Sequence, residues 1–528
     1  MGTTIVSAPH CLETKVFVVP EGELLGKRCA GYEAILGIPY AAPPVGGLRF
    51  RPPREPDPWD GVRDGTILGA ASLQPSTAYA PARGSEDCLY LNVYKPTNGA
   101  EQGPLPVMVW LHGGGFVNGS GNAFMGGFLA QAAGALVVTV NYRLGPLGWL
   151  ALPSLAAEAE DGNAGNYGLL DSIAALQWVQ DNITALGGDP SRVTVFGQSA
   201  GGEQVLALLV SPQAAGLFHR AISMSAPAGV TLPDLPAAAA RNADLLKRMG
   251  CENSETQLPC LRDAGAQSLT NAAQISWDLI GAGGLQFTPT VGGGVLPGQW
   301  HDLFREGKFH HVPVMIGHTK QEGRLFTAIY ENNLGRRMTA ADLSERLAGS
   351  EVFPAPLVKE VAREYGLQST YEIDGVLAEI LTDALWVAGL EKCRTALARE
   401  TTVYSYQTFD PDAPESHVHA QFSRIGAGHD SDVPELWQWD DFTGTKPGLT
   451  SEQHRYAVQL GRYWGQFAAT GDPNSPDLPE WRSFNDGYMQ YLETNHTGGS
   501  RTVPTAEYHQ QHRFAFWSPL VHPHPNTH

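Results

Sequence analysis

The chain of 528 residues is predicted to be an α/β protein, with a mostly parallel central sheet flanked by helices. Three observations carry that expectation: strand-like apolar runs recur along the chain, segments of helical periodicity alternate with them, and a Gly-x-Ser-x-Gly turn sits at one strand-to-helix junction. A parallel strand is covered on both faces, so it reads as a near-continuous run of Val, Ile and Leu. The segments VMVWL (Val107 to Leu111), LVVTV (Leu136 to Val140), VTVF (Val193 to Phe196) and VPVMI (Val312 to Ile316) have that character. Between the second and third, Leu169, Ile173, Leu176, Val179 and Ile183 recur at the spacings of one helical face, which predicts a βαβ unit. Later, Thr450 and Gln453 stand in capping-box spacing ahead of a helix that turns Tyr456, Leu460, Tyr463, Trp464 and Phe467 inward.

With 42% hydrophobic and 17% charged residues, the chain can bury a large core, and no segment has the composition of a disordered tract. A net charge of -19 with no concentrated basic patch excludes nucleic acid and anionic membrane as expected partners. The first residues, MGTTIVSAPHCLETKVF, lack the basic start and apolar stretch of a secretory signal, and no segment has the roughly 20 apolar residues of a membrane span. The expectation is therefore a cytoplasmic protein, or an extracellular one if a leader has been removed. Cys11, Cys29, Cys88, Cys251, Cys260 and Cys393 are too few and too scattered for a disulfide scaffold. Without a linker or internal repeat, a single domain over 1–528 is expected, with helix-rich stretches near 232–285 and 326–400 forming a lid and gorge wall.

Chemistry concentrates in VTVFGQSAGGEQVLALLV, where Gly197-Gln198-Ser199-Ala200-Gly201 lies directly between strand and helix. Such a turn forces the serine into a strained backbone and raises its hydroxyl at a helix N-terminus. Upstream, the glycine run in Trp110-Leu111-His112-Gly113-Gly114-Gly115-Phe116 follows another strand. Acyl transfer creates an oxyanion best held by backbone N–H groups fixed in advance, and Gly114, Gly115 and Ala200 are the candidate donors. His112 is read as loop support rather than a catalytic group. A serine hydroxyl needs a general base and a carboxylate to orient that base. Glu322, in Gln321-Glu322-Gly323 just beyond a strand, is the candidate acid. Downstream of it come His417, His419, His429, His454, His496, His509, His512 and three tail histidines. The loop GAGHDSDVPELW favours His429, but the residues alone leave the choice open. This chemistry requires no metal or organic cofactor, and neither His310 with His311 nor His417 with His419 is needed for it.

With these residues in hand, the chain resembles the type B carboxylesterase family, which includes bacterial para-nitrobenzyl esterases and animal cholinesterases. The resemblance runs from GIPYAAPPVGGLRFRPP (Gly37 to Pro53) through SEDCLYLNVYKP (Ser85 to Pro96), HGGGF, NYRLGPLGWL and VTVFGQSAGG to FAATGDPN (Phe467 to Asn474). It implies an α/β-hydrolase fold and hydrolysis of a small-molecule ester through an acyl-enzyme. A monomer or small homo-oligomer is expected. The resemblance also implies Ser199 as nucleophile, Glu322 as acid, His429 as base, and Gly114, Gly115 and Ala200 as oxyanion hole. Ser225, in AISMSAP, resembles a buried serine that hydrogen-bonds near the acid, and Phe287, in LQFTPTVGG, an acyl-pocket aromatic. Cys251 and Cys260 match a family disulfide, whereas the usual partner of Cys88 falls near Ser72, so that bridge is expected to be absent. Cholinesterases carry a glutamate before the nucleophile and a choline-stacking tryptophan; this chain has Gln198 and lacks the tryptophan, which implies neutral esters. Related apparatus also serves amidases, lactonases and carbamate hydrolases. Catalytically silent adhesion relatives typically lose triad residues that are intact here.

Overall fold

The computed structural model describes residues 11, 13–75, 83–97, 103–273, 279, 285–350, 353, 355–366, 372–415, 418–438, 448–494 and 499–521. Within them one sheet of 13 strands forms the spine of the protein. β1 (Glu13–Val19), β2 (Gly22–Cys29), β3 (Tyr32–Pro39), β4 (Val62–Asp64) and β5 (Tyr90–Pro96) make one margin. β6 (Leu105–Leu111), β7 (Leu136–Val140), β8 (Gly188–Gln198), β9 (Arg220–Met224), β10 (Val314–Thr319), β11 (Val403–Phe409) and β12 (Tyr488–Glu493) form the body, and β13 (Ser500–Pro504) the far edge. The spatial order is β1-β2-β3-β5-β7-β6-β8-β9-β10-β11-β12-β13, with β4 beside β2. From β7 to β12 every pairing is parallel; β1, β2, β3, β5 and β7 pair antiparallel in succession, as do β12 and β13.

β6 shows why these segments become buried strands. Val107, Val109 and Leu111 enter the apolar layer on one face of the sheet, and Met108 and Trp110 that on the other. Successive side chains point to opposite faces, so a strand covered on both sides must be apolar throughout. The expected βαβ unit has a strand inside it: β7 and β8 both pair with β6 and not with each other. The strand order thus reverses at β6, and the carboxyl ends of β6 and β8, in register at Leu111 and Gly197, open onto a topological switch point. The intervening helix Tyr167–Asn182 carries the predicted stripe, although Ile183 falls in the 3₁₀ turn that follows it and is buried there. β10 begins at Val314, two residues later than the apolar run. The helix Ser451–Thr470 has its Thr450–Gln453 capping box, and Tyr456, Leu460, Tyr463, Trp464 and Phe467 are all buried.

The first helix-rich stretch contains short helices at Leu235–Arg241, Ala243–Met249, Gln257–Asp263 and Ala266–Ala272. The second includes Gly323–Leu334, Ala340–Ala348, Ala355–Glu364, Ile373–Leu381 and Ala388–Leu397, with a π-helical turn at Thr382–Val387. No helix among the described residues is long and apolar enough to cross a membrane. Cys251 and Cys260 are disulfide-bonded, and so are Cys11 and Cys29, a pairing not expected from sequence. The β1–β2 hairpin creates the second pair by folding residue 11 back beside the end of β2. Cys88 and Cys393 are free and buried, and the Ser72 hydroxyl lies against the Cys88 thiol.

Candidate active site

Side chains that are far apart in sequence meet at the carboxyl edge of the sheet because consecutive parallel strands end side by side there. β6 runs into the glycine loop, β8 into Ser199, β10 into Glu322 and β11 toward His429. Ser199 adopts φ 58° and ψ -125°, a conformation that costs a non-glycine residue about 1–3 kcal/mol and collects at functional sites. It leads directly into the helix Ala200–Val210, and its N–H donates to Met224 O at 2.9 Å. The tight turn depends on Gly201, where a Cβ would lie 1.9 Å from Leu111 O. Amid buried neighbours Ser199 remains partly exposed, as do Gly113 and Gly114 in the facing loop.

That loop needs glycine for its conformation as well as for space. Gly114 has φ 113°, and a Cβ there would lie 2.2 Å from Asn118 Oδ1. Gly115, at φ 59°, continues the left-handed run. Among the described residues no acceptor takes the N–H of Gly114, Gly115 or Ala200, which leaves three backbone donors free for a ligand oxygen. His112 supports the loop, as read from sequence. Its ring stacks on Tyr142 at 4.3 Å, its carbonyl accepts the Tyr142 hydroxyl at 2.6 Å, and burial pulls its imidazole down to about 4.

The structure brings Glu322 and His429 into direct contact through Oε2 and Nδ1, both side chains being buried. The remaining carboxylate oxygen of Glu322 accepts the Thr319 N–H at 2.7 Å, and the His429 N–H donates to the Glu322 carbonyl at 3.2 Å. Burial pulls the His429 imidazole downward, but the charge and hydrogen bond of Glu322, with Asp430 and Asp432 behind, override it and leave the ring raised. With Nδ1–H on Glu322, Nε2 is the free acceptor, and it faces the elbow: the Gln198 amide nitrogen lies 3.3 Å away. Ser199 Oγ makes no hydrogen bond to Nε2 in this arrangement, so the amide beside the serine occupies the position that a proton-accepting contact would take.

Of the other histidines, His417, His496, His522, His524 and His528 lie outside the described residues. His419 contacts Glu415 on the surface, His454 Gln438, His509 Glu391, and His512 Asp383. None of these partners is at the elbow.

Two expectations change. The Ser225 hydroxyl is buried and has no hydrogen-bond partner among the described residues, so the bond expected near the acid is not seen there. Ser225 acts through its backbone instead: at φ 50°, its N–H donates to Gly317 O at 2.8 Å and its carbonyl accepts the Trp386 indole N–H at 2.8 Å. Phe287 is 1% exposed and belongs to the main core cluster. The aromatic rings placed against His429 are those of Phe326 at 5.2 Å and Trp386 at 5.3 Å, neither of them singled out from sequence. Asp432 was also missed; burial, with Glu322 nearby, pushes its carboxyl up to about 7, and neither oxygen has a partner among the described residues. Its only signal in the sequence is its place three residues after His429.

Comparison with known proteins agrees with this geometry. Residues 13–517 match the model of the carboxylesterase family. The chain is 35% identical to pyrethroid hydrolase Ces2a of Mus musculus over 88% of its own length and 84% of that protein's. It is 33% identical to the cocaine esterase of Homo sapiens, covering 92% and 87% of the two chains. Among solved structures, the carboxylesterase EST55 of Geobacillus stearothermophilus superposes with a TM-score of 0.78 at 32% identity, over 95% of this chain and 99% of that one. The reversed parallel sheet, the serine turn at its carboxyl edge and these likenesses converge: the chain belongs to the carboxylesterase family, has the α/β-hydrolase fold and is a carboxylic ester hydrolase.

Proposed function

We propose that the chain is a serine esterase acting on neutral carboxylic esters through an acyl-enzyme. In this reading Ser199 Oγ attacks the ester carbonyl carbon as His429 Nε2 takes its proton, and the N–H groups of Gly114, Gly115 and Ala200 hold the oxyanion. Collapse breaks the ester C–O bond, and the imidazolium returns the proton to the departing alcohol. Water then attacks the acyl carbon with His429 again as base, which releases the carboxylic acid and restores Ser199. Glu322 accepts the Nδ1–H throughout and so fixes the tautomer that leaves Nε2 as acceptor.

The observation that carries the reading is the buried Glu322–His429 contact, whose free Nε2 points at the residue next to a serine held at φ 58°. Proton transfer requires Ser199 Oγ to replace the Gln198 amide at Nε2, and catalytic hydrogen bonds of free enzymes commonly tighten only once substrate binds. Neutral Gln198 offers a cationic alcohol no charge attraction, which favours neutral esters. We take the chain to act as one domain, with Phe326 and Trp386 bringing the second helix-rich stretch against the site. Two disulfides, Cys11–Cys29 and Cys251–Cys260, favour an oxidising compartment over the cytoplasm. The test is Ser199→Ala together with a phosphonate probe. The folded variant should lose about 10³-fold or more in kcat, and the probe should label Ser199 in the parent and nothing in the variant. Near-parental turnover in a folded Ser199→Ala would overturn the assignment.

A further inference from the structure

Behind the loop that carries Glu322 lies a pocket of about 370 Å³ unconnected with the proposed chemistry. Its walls come from the residues flanking Glu322, from the end of the helix Ile373–Leu381 with the π-helical turn after it, and from the segment 510–513. Lys320 and Arg324, two residues before and after Glu322, line it together with Arg513. Lys320 rests its ammonium on the Phe409 ring at 4.4 Å, and Arg324 reaches only the Arg424 carbonyl at 3.2 Å. Neither forms an ion pair with a carboxylate among the described residues. Arg513 lies over the Tyr365 ring at 4.3 Å and has one close carboxylate, Glu379 at 3.0 Å, with Asp383 further off at 3.7 Å.

The two remaining titratable groups of the wall do not balance these cations at neutral pH. Burial pushes the Asp383 carboxyl, which accepts the Tyr365 hydroxyl at 2.6 Å, up to about 8. Burial, with Arg394 and Lys320 nearby, pulls His512 down to about 3, so its ring is neutral. Three cations therefore face Glu379 and an Asp383 whose two oxygens are already engaged by the Tyr365 hydroxyl at 2.6 Å and His512 Nδ1 at 2.8 Å, in a concave wall on a protein whose net charge is -19. A cationic recess on so acidic a molecule runs against the overall composition, and half-buried charges are screened less than those on an open surface. Two backbone features single out the same place: Arg513 is held at φ 49°, and a π-helical turn forms the opposite wall.

We infer that this pocket is a binding site for a small multiply charged anion, a di- or tricarboxylate or a phosphate, held by Lys320, Arg324 and Arg513. Because Thr382, in the wall, accepts the Gly323 N–H at 3.0 Å, an occupant would press on the backbone that carries the acid of the triad.

The experiment measures thermal stabilisation and calorimetric binding of the whole chain with citrate, succinate or inorganic phosphate, against sodium chloride at matched ionic strength. The parent, Arg324→Gln, Lys320→Gln and, as a control at an exposed arginine elsewhere, Arg305→Gln are compared. Saturable binding is expected in the parent and the control, weakened about tenfold in each pocket variant, the loss of one charge-assisted hydrogen bond. The Tm without anion should be unchanged in Arg324→Gln, which forms no ion pair with a described residue. Citrate and succinate binding without phosphate would assign the site to carboxylates, and phosphate binding alone to phosphate. A response equal to that of chloride, or one that survives in both pocket variants, would overturn the inference.

Discussion

Substituting Gln198→Glu places a carboxylate where an amide now meets the His429 ring. The side chain is 5% exposed, and its terminal nitrogen lies 3.3 Å from His429 Nε2. At that separation and an effective dielectric of about 20, a carboxylate and an imidazolium attract by about 5 kcal/mol. Burying the new charge beside Glu322 takes back part of this, and about half is a reasonable net. At 1.36 kcal/mol per unit, the His429 pKa should then rise by about 1.5–2 units. The sign follows from the proposed mechanism, in which His429 must be neutral to accept the Ser199 proton, whereas the carboxylate favours the charged ring. The acid limb of the kcat/KM profile should therefore move to higher pH, leaving the plateau for a neutral ester little changed. The assay is kcat/KM between pH 5 and 9 for a neutral ester in both proteins, repeated with a choline ester and its uncharged carbon isostere. The choline ester should gain relative to its isostere in the variant, modestly, because no stacking tryptophan is restored. An unmoved acid limb would refute the reading of Gln198 as the neighbour of Nε2, and an unmoved ester ratio its role in charge selection.

Other consequences concern stability and covalent state. Arg143 grips Asp171 through two bonds, Nη2 to Oδ1 at 2.7 Å and Nε to Oδ2 at 2.8 Å, and both residues are buried. Arg143→Ala strands that carboxylate and should cost about 3–5 kcal/mol in denaturant unfolding, whereas a loss below about 1 kcal/mol would contradict the burial. Burial pushes Glu203, 1% exposed in the first turn after Ser199, up to about 8 from 4.5. The folded state therefore keeps a proton that the unfolded chain releases, so this group's contribution to stability is intact below about 4.5 and lost as pH rises through 8. Glu203→Gln should raise Tm relative to the parent at pH 9 more than at pH 5, and parallel Tm curves would show that the carboxyl titrates normally. Alkylation without reductant should label nothing in the native protein and only Cys88 and Cys393 after denaturation, as peptide mass mapping can read; label on Cys11 or Cys29 would disprove their bond.

The sequence by itself determined what depends on local pattern. Val107 to Leu111 reads as a buried strand because both faces of a parallel sheet demand apolar side chains, and β6 lies there. The capping box at Thr450 and the elbow at Ser199 were legible because a few adjacent residues supply the whole geometry. What only the tertiary structure decided is which distant residues meet. Ring placement cannot be read from a run of histidines, so residue order left His429 among several, and the contact with Glu322 across 107 positions separates it from the rest. The same holds for the Gln198 amide on Nε2, for Phe326 and Trp386 beside the ring, and for Cys11 against Cys29. The Ser225 hydroxyl shows the converse: a motif fixes a residue's place on the strand end, but a hydrogen bond requires a partner from another element, and among the described residues none reaches it. Local propensity follows from short-range sterics and burial periodicity, whereas the site is assembled by the order in which the strands line up, a property of the whole sheet.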